Sequence, residues 1–235
     1  ADGNFLEAVE YFRRAEVETE VEDLKDLARN RLITCLYESG RLDETIEEGE
    51  VFVESYPDSP FLVNVFYNIG WAHYDTEHYE ASIAAFERLV SHFPTGYRAD
   101  RALFQIGEAH FKRGQYLEAV PWYRDVVDRQ DIGTMSQADV LRMRREKVAG
   151  LVDETALELA AKAQIKVGDC YARSGDPEQA AQAYRRVITA FSQERSLASE
   201  AHIRLADMYI ESGDPAAAER TYREAIDGSR DRIFQ

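Results

Sequence analysis

The stretch SPFLVNVFYNIGWAHYDTEHYEASIAAFERLVSHFP, residues 59–94, reads as two helices and the turn between them. Ser59-Pro60 is a helix-start signal: a serine hydroxyl caps free N–H groups, and proline presets φ at the first helical position. Phe66, Ile69, Gly70 and His73 follow at i, i+3, i+4 and i+7, which is one stripe of a helix. A short turn falls near Glu77. The second helix carries Tyr79, Ile83, Phe86 and Val90 and stops at Phe93-Pro94, because proline cannot continue it. Tyr56-Pro57 closes the preceding segment in the same way.

Working outward, the turn recurs. It reads GNFLEA at 3–8, GRLDET at 40–45, EHYEAS at 77–82, GQYLEA at 114–119, GDPEQA at 175–180 and GDPAAA at 213–218. The steps between starting positions are 37, 37, 37, 61 and 38 residues. Each unit is a helix pair that cannot bury both faces alone, so neighbours must stack on it. The expected fold is all-α: a solenoid of antiparallel helix pairs, with about five full repeats, a leading half repeat and one helical insertion. As one solenoid over 1–235, the units fall at approximately 1–22 (partial), 23–58, 59–95, 96–131, 156–193 and 194–228, with the insertion at 132–155. Gly3 already lies in a turn, so the chain is read as a piece of a longer protein.

Small residues mark where backbones approach. Gly70, Gly107, Gly168 and Ala206 share a column of the first helix, with Ile33 the exception. Ala8, Ala119, Ala180 and Ala218 share a column of the second, with Thr45 and Ser82 in the other units.

This pattern resembles the tetratricopeptide repeat family. The likeness rests on Ile69-Gly70 and Ile106-Gly107, the Gly-x-Tyr-x-x-Ala turn, the Phe86 and Tyr123 column, and the closing Pro57 and Pro94. The unit is longer than the family's common length of about 34 residues, and the extra residues fall at Asp58–Leu62, which predicts a first helix longer by nearly a turn. The junction Tyr56-Pro57-Asp58-Ser59 is similar to bacterial envelope members of the family, of the β-barrel assembly lipoprotein and Tol–Pal coordinator type. The resemblance implies a right-handed superhelical solenoid whose first helices line a concave, ligand-binding surface. The expected groove residues are Tyr67, Trp71 and Tyr74, then Phe104, Glu108 and Phe111, then Tyr37 with Asn30 and Thr34. The fifth and sixth units would present Ile165, Asp169 and Ala172, then Ile203, Asp207 and Ile210. Trp71 stands out, because that column is polar in the other units, and Trp and Tyr are enriched at binding hot spots. Some family members clamp a chaperone's C-terminal carboxylate. Asn68 and Arg101 match fragments of that set, but Gln105 and Thr34 stand where Arg and Asn are needed.

Composition narrows the function. The chain has 235 residues, 44 acids, 28 bases (23 Arg and 5 Lys) and a formal net charge of −16, which argues against nucleic acid as a partner. No apolar run is long enough to span a membrane. Cys35 and Cys170 read as buried thiols in equivalent packing columns. His73 and His110 read as packed, hydrogen-bonded replacements for Tyr rather than metal ligands; HYDTEH at 73–78 has the wrong spacing for a zinc helix. No catalytic residue, metal or cofactor is expected. Within the insertion, SQAD at 136–139 reads as a helix start, and Arg142, Arg144, Arg145 and Lys147 form the one basic cluster. It is either a secondary contact for an acidic partner or a face paired with the chain's own acids. The reading is a non-enzymatic scaffold holding a partner protein or peptide in its groove, in a periplasmic or envelope assembly complex by resemblance. The alternatives are a cytoplasmic scaffold or oligomerisation module, and a lipid- or carbohydrate-binding repeat protein.

Overall fold

The computed structural model describes residues 2–19, 21–130, 137–148 and 154–230. Every regular element among them is an α-helix. The chain divides into two compact units, Ala1–Arg113 and Gly114–Gln235.

The first unit holds α1 (Asp2–Glu18), α2 (Glu22–Glu38), α3 (Leu42–Ser55), α4 (Leu62–Asp75), α5 (Tyr79–His92) and α6 (Tyr97–Lys112). Each helix packs on the next, and the first helices of successive pairs also touch, α2 on α4 and α4 on α6. The core is the stripe read from the sequence. Leu32, Ile33, Phe52, Phe66, Ile69, Phe86 and Ile106 are all under 2% exposed. Each such side chain contributes about 1.5–3 kcal/mol on burial. Helix ends follow the sequence signals. Tyr56 and Phe93 cap α3 and α5 through backbone N–H groups donating to Phe52 and Leu89, and proline follows each.

The start of α4 departs from expectation. Ser59-Pro60 does not open the helix: the first helical residue is Leu62, and the N-cap is Phe61. The Ser59 hydroxyl accepts from the Phe61 N–H at 3.2 Å and donates to Asp26 Oδ2 on α2 at 2.7 Å. The Leu62 N–H turns back to the Ser59 carbonyl at 3.2 Å. The residue before proline is pushed away from helical φ/ψ, so these positions form a turn. The added residues therefore do not lengthen α4, which has 14 residues, whereas α6, with no proline there, has 16.

The second unit holds α7 (Tyr116–Arg129), α8 (Gln137–Val148), α9 (Ala156–Arg173), α10 (Pro177–Ala190), α11 (Arg195–Glu211) and α12 (Pro215–Arg230). The last helix runs two residues past the expected close at Gly228. α7 packs directly on α9, so the inserted α8 leaves the stacking of pairs intact. Ser136, the expected start of the insertion helix, lies outside the described residues. Two caps strengthen the frame. Thr155 and Glu158 form a capping box on α9, and the Asp176 side chain accepts from Gln179 N–H ahead of Pro177.

The small-residue columns are close approaches. A Cβ on Gly70 would lie 2.6 Å from Phe86 Cε1, and one on Gly168 would overlap the Tyr184 ring. Gly49, which the repeat comparison did not single out, is a third: its Cβ would lie 2.6 Å from Ile69 Cγ1.

Candidate functional site

The aromatic stripe on α4 forms because Tyr67, Trp71 and Tyr74 sit at i, i+4 and i+7, flanking the Gly70 column that faces α5. All three are half-buried. Trp71 meets Tyr67 and Tyr74 edge-on, with ring centroids 6.2 and 5.6 Å apart. It also meets the buried Phe86 of α5 at 6.3 Å, so one side of the indole belongs to the core. Edge-to-face contacts of this kind fix ring orientation and are worth about 0.5–1.5 kcal/mol each beyond burial.

The neighbouring first helices close around this stripe. Tyr37 of α2 donates its hydroxyl to Asp75 Oδ2 at 3.0 Å. Asn68 donates to Thr34 Oγ1 at 3.3 Å, tying α4 to α2. The Arg98 guanidinium of α6 sits 4.7 Å above the Tyr67 ring. Phe104, Glu108 and Phe111 are half-buried on α6. Burial pushes the Tyr74 hydroxyl up to about 12, with the Glu108 carboxylate the next cause, so α4 and α6 meet electrostatically at this point. Burial and the Asp75 carboxylate raise Tyr37 as well. Both phenols stay protonated near neutrality; the Tyr37 O–H is committed to Asp75, and its oxygen can still accept from a ligand. Asp75, Arg98 and Tyr79, whose ring lies 5.4 Å from that of Tyr74, belong to the same cluster. Their helical register gave no sign of it, because each reaches the stripe from a helix end.

Other expectations are corrected. Ile165 and Asp169 do not present an open face: they are 3% and 8% exposed. Asp169 accepts from the Tyr184 hydroxyl at 2.8 Å and from Arg204 Nη1 at 2.9 Å, so α10 and α11 cover it. Ile203 and Ile210 are more than half exposed. Cys170 is buried, but Cys35 is half-buried, and burial raises its thiol pKa. His73 is not a hydrogen-bonded substitute for Tyr at Nδ1, which is buried without a partner; its ring meets that of His78 at 6.3 Å, and burial lowers its pKa. Among the described residues no group of three or more His, Cys, Asp or Glu could hold a metal.

The basic face of α8 divides. Lys147 binds both carboxylate oxygens of Glu158 at 2.6 and 2.7 Å, an internal pairing. Arg142 and Arg145 are exposed, while the Arg144 side chain lies outside the described residues.

Stacked helix pairs and glycine-mediated contacts between them define a helical-repeat protein. Residues 67–133 and 159–231 match two family models, both described as tetratricopeptide repeat, which together take in more than half of the chain. The chain therefore belongs to the tetratricopeptide repeat family. Among solved structures it is similar to MamA (TM-score 0.60, 15% identity, covering 87% of this chain and 98% of that one). It is similar also to MamA 41-end from Desulfovibrio magneticus RS-1 (0.57, 14%, 91% and 98%). A third likeness is to the apo form of RapI (0.68, 12%, 95% and 59%). At such identities these likenesses concern the fold. No curated protein sequence matches. No described helix is long and apolar enough to cross a membrane.

Proposed function

We propose that this protein is a non-enzymatic interaction scaffold that holds a segment of a partner protein across α2, α4 and α6. The observation that supports the reading is the Tyr67–Trp71–Tyr74 stripe, half-exposed and pre-oriented by Phe86 behind it and by the Arg98 guanidinium of α6 over Tyr67. A surface whose side chains are already fixed loses little entropy on binding, so its contacts go into affinity. Tyr37, Phe104, Glu108 and Phe111 extend the same face, and the whole chain acts as one run of repeats. The Tyr56-Pro57-Asp58-Ser59 junction favours a bacterial envelope assembly complex as the setting.

The test compares proteins captured from the source organism's lysate by the native chain and by Trp71→Ala/Tyr74→Ala. Circular dichroism checks that both are folded, and Trp71→Phe serves as a milder variant. A partner lost from the double variant and recovered by Trp71→Phe supports the proposal. Capture that is identical across all three rejects it.

A further inference from the structure

The second unit contains a cleft that the groove reading does not use. It lies over α9 between the two second helices α7 and α10, and its volume is about 360 Å³. Arg124 and Asp128 come from α7, Gln164 and Tyr171 from α9, and Gln182 and Arg186 from α10. The volume is at the lower end of the range of about 300–1,000 Å³ typical of ligand sites.

Arg124 is the unusual member. The guanidiniums of Arg13, Arg29, Arg41, Arg88 and Arg204 bind carboxylates of the chain itself. Arg124 instead donates Nη2 to the Tyr171 hydroxyl at 3.0 Å, with its guanidinium carbon 5.7 Å from the centre of that ring. A phenol orients the guanidinium without neutralising it, and most of its five N–H donors are left to other acceptors. The arrangement recurs one pair further on, where Arg185 donates to the Tyr209 hydroxyl. Across the cleft, Arg186 approaches Asp128 only to 3.8 Å, with side chains 51% and 68% exposed. A pair that long and that exposed holds its partners weakly. At the floor, Gln164 is 3% exposed; its amide donates to the Ala183 carbonyl, and its Oε1 is buried without a donor.

We propose that this cleft binds an acidic segment of a partner protein, with a Glu or Asp carboxylate received by Arg124 and Arg186. A forked guanidinium matches a carboxylate with two parallel hydrogen bonds, and the two arginines stand on opposite helices lining the cleft. The Gln182 amide lines the same wall as Arg186. An extended polyanion such as nucleic acid does not suit a chain of net charge −16, whereas a short acidic peptide meets only the local field. Asp128 then acts as a placeholder that the ligand carboxylate displaces from Arg186.

The experiment uses the full chain and a fluorescently labelled oligoglutamate peptide, with oligolysine and inorganic phosphate as comparison probes. The anisotropy titration is expected to show saturable oligoglutamate binding, weakened about tenfold by Arg124→Gln and again by Arg186→Gln. Asp128→Asn is expected to tighten it, a sign that general loss of structure cannot produce. Circular dichroism verifies the fold of each variant. Unchanged affinity in the Arg124→Gln/Arg186→Gln pair, weaker binding by Asp128→Asn, or a preference for oligolysine overturns the proposal. So does arginine-dependent binding of phosphate without binding of the peptide.

Discussion

Ser82 donates its hydroxyl to the Gly70 carbonyl at 2.8 Å across the buried α4–α5 contact, and Phe86, one turn along α5, closes over the same glycine. Both small-residue columns thus meet at one point: one supplies the gap, the other a polar anchor within it. Alanine at 70 would gain about 1 kcal/mol of helix propensity. It would also set a Cβ 2.6–2.8 Å from three ring atoms of Phe86, which is fully buried and cannot swing away. Gly70→Ala is expected to destabilise the chain by about 1–2 kcal/mol net. Urea unfolding with a raised midpoint would contradict the contact.

Glu77 occupies the left-handed position that glycine fills in four other units, with φ of 62° against 74–79° at Gly40, Gly114, Gly175 and Gly213; Gly3, expected in the same turn, lies inside α1 instead. The turn is held by His78 N–H donating to the His73 carbonyl at 2.8 Å, a helix-terminating pattern that favours glycine. A side chain there costs about 1 kcal/mol. Glu77→Gly is therefore expected to raise the melting temperature by the equivalent of about 0.5–1 kcal/mol. A drop would mean that the Glu77 side chain contributes more than the strain it imposes.

Pro121 lies inside α7 and leaves the Leu117 carbonyl without its helical donor. Both residues are exposed, so solvent reaches that side of the helix. Pro121→Ala is expected to stabilise the protein by about 2–3 kcal/mol, measured by chemical denaturation. Destabilisation would show that the proline ring packs usefully beside Arg124.

Glu158 is partly buried, which by itself raises its pKa, but the Lys147 ammonium and the Thr155 N–H lower it further, to a net value below the ordinary 4.5. A carboxyl with a depressed folded pKa stabilises above its unfolded pKa and loses that contribution as pH falls through the folded value. Glu158→Ala is expected to cost about 1–2 kcal/mol at neutral pH, through the capping box and the Lys147 pair. The difference from the native chain should shrink as pH drops below about 4.5. A pH-independent difference would assign the loss to packing.

Much was determined by the sequence alone, because it depends on residues close along the chain. The helix pairs, their turns, the proline ends and the glycine columns follow from periodicity and local φ/ψ, and the aromatic stripe on α4 follows from i, i+4 spacing. Tertiary structure decided what depends on distant segments coming together. The Ser59 hydroxyl turns to Asp26 on another helix instead of opening α4. Tyr184 and Arg204 bury the Asp169 face that repeat equivalence had placed in the open. Asp75 and Arg98 join the aromatic site from helix ends, and Arg124 finds Tyr171 47 residues away. Spacing within one helix sets which side chains share a face; only the packing of neighbouring helices sets which faces stay open and which charges meet.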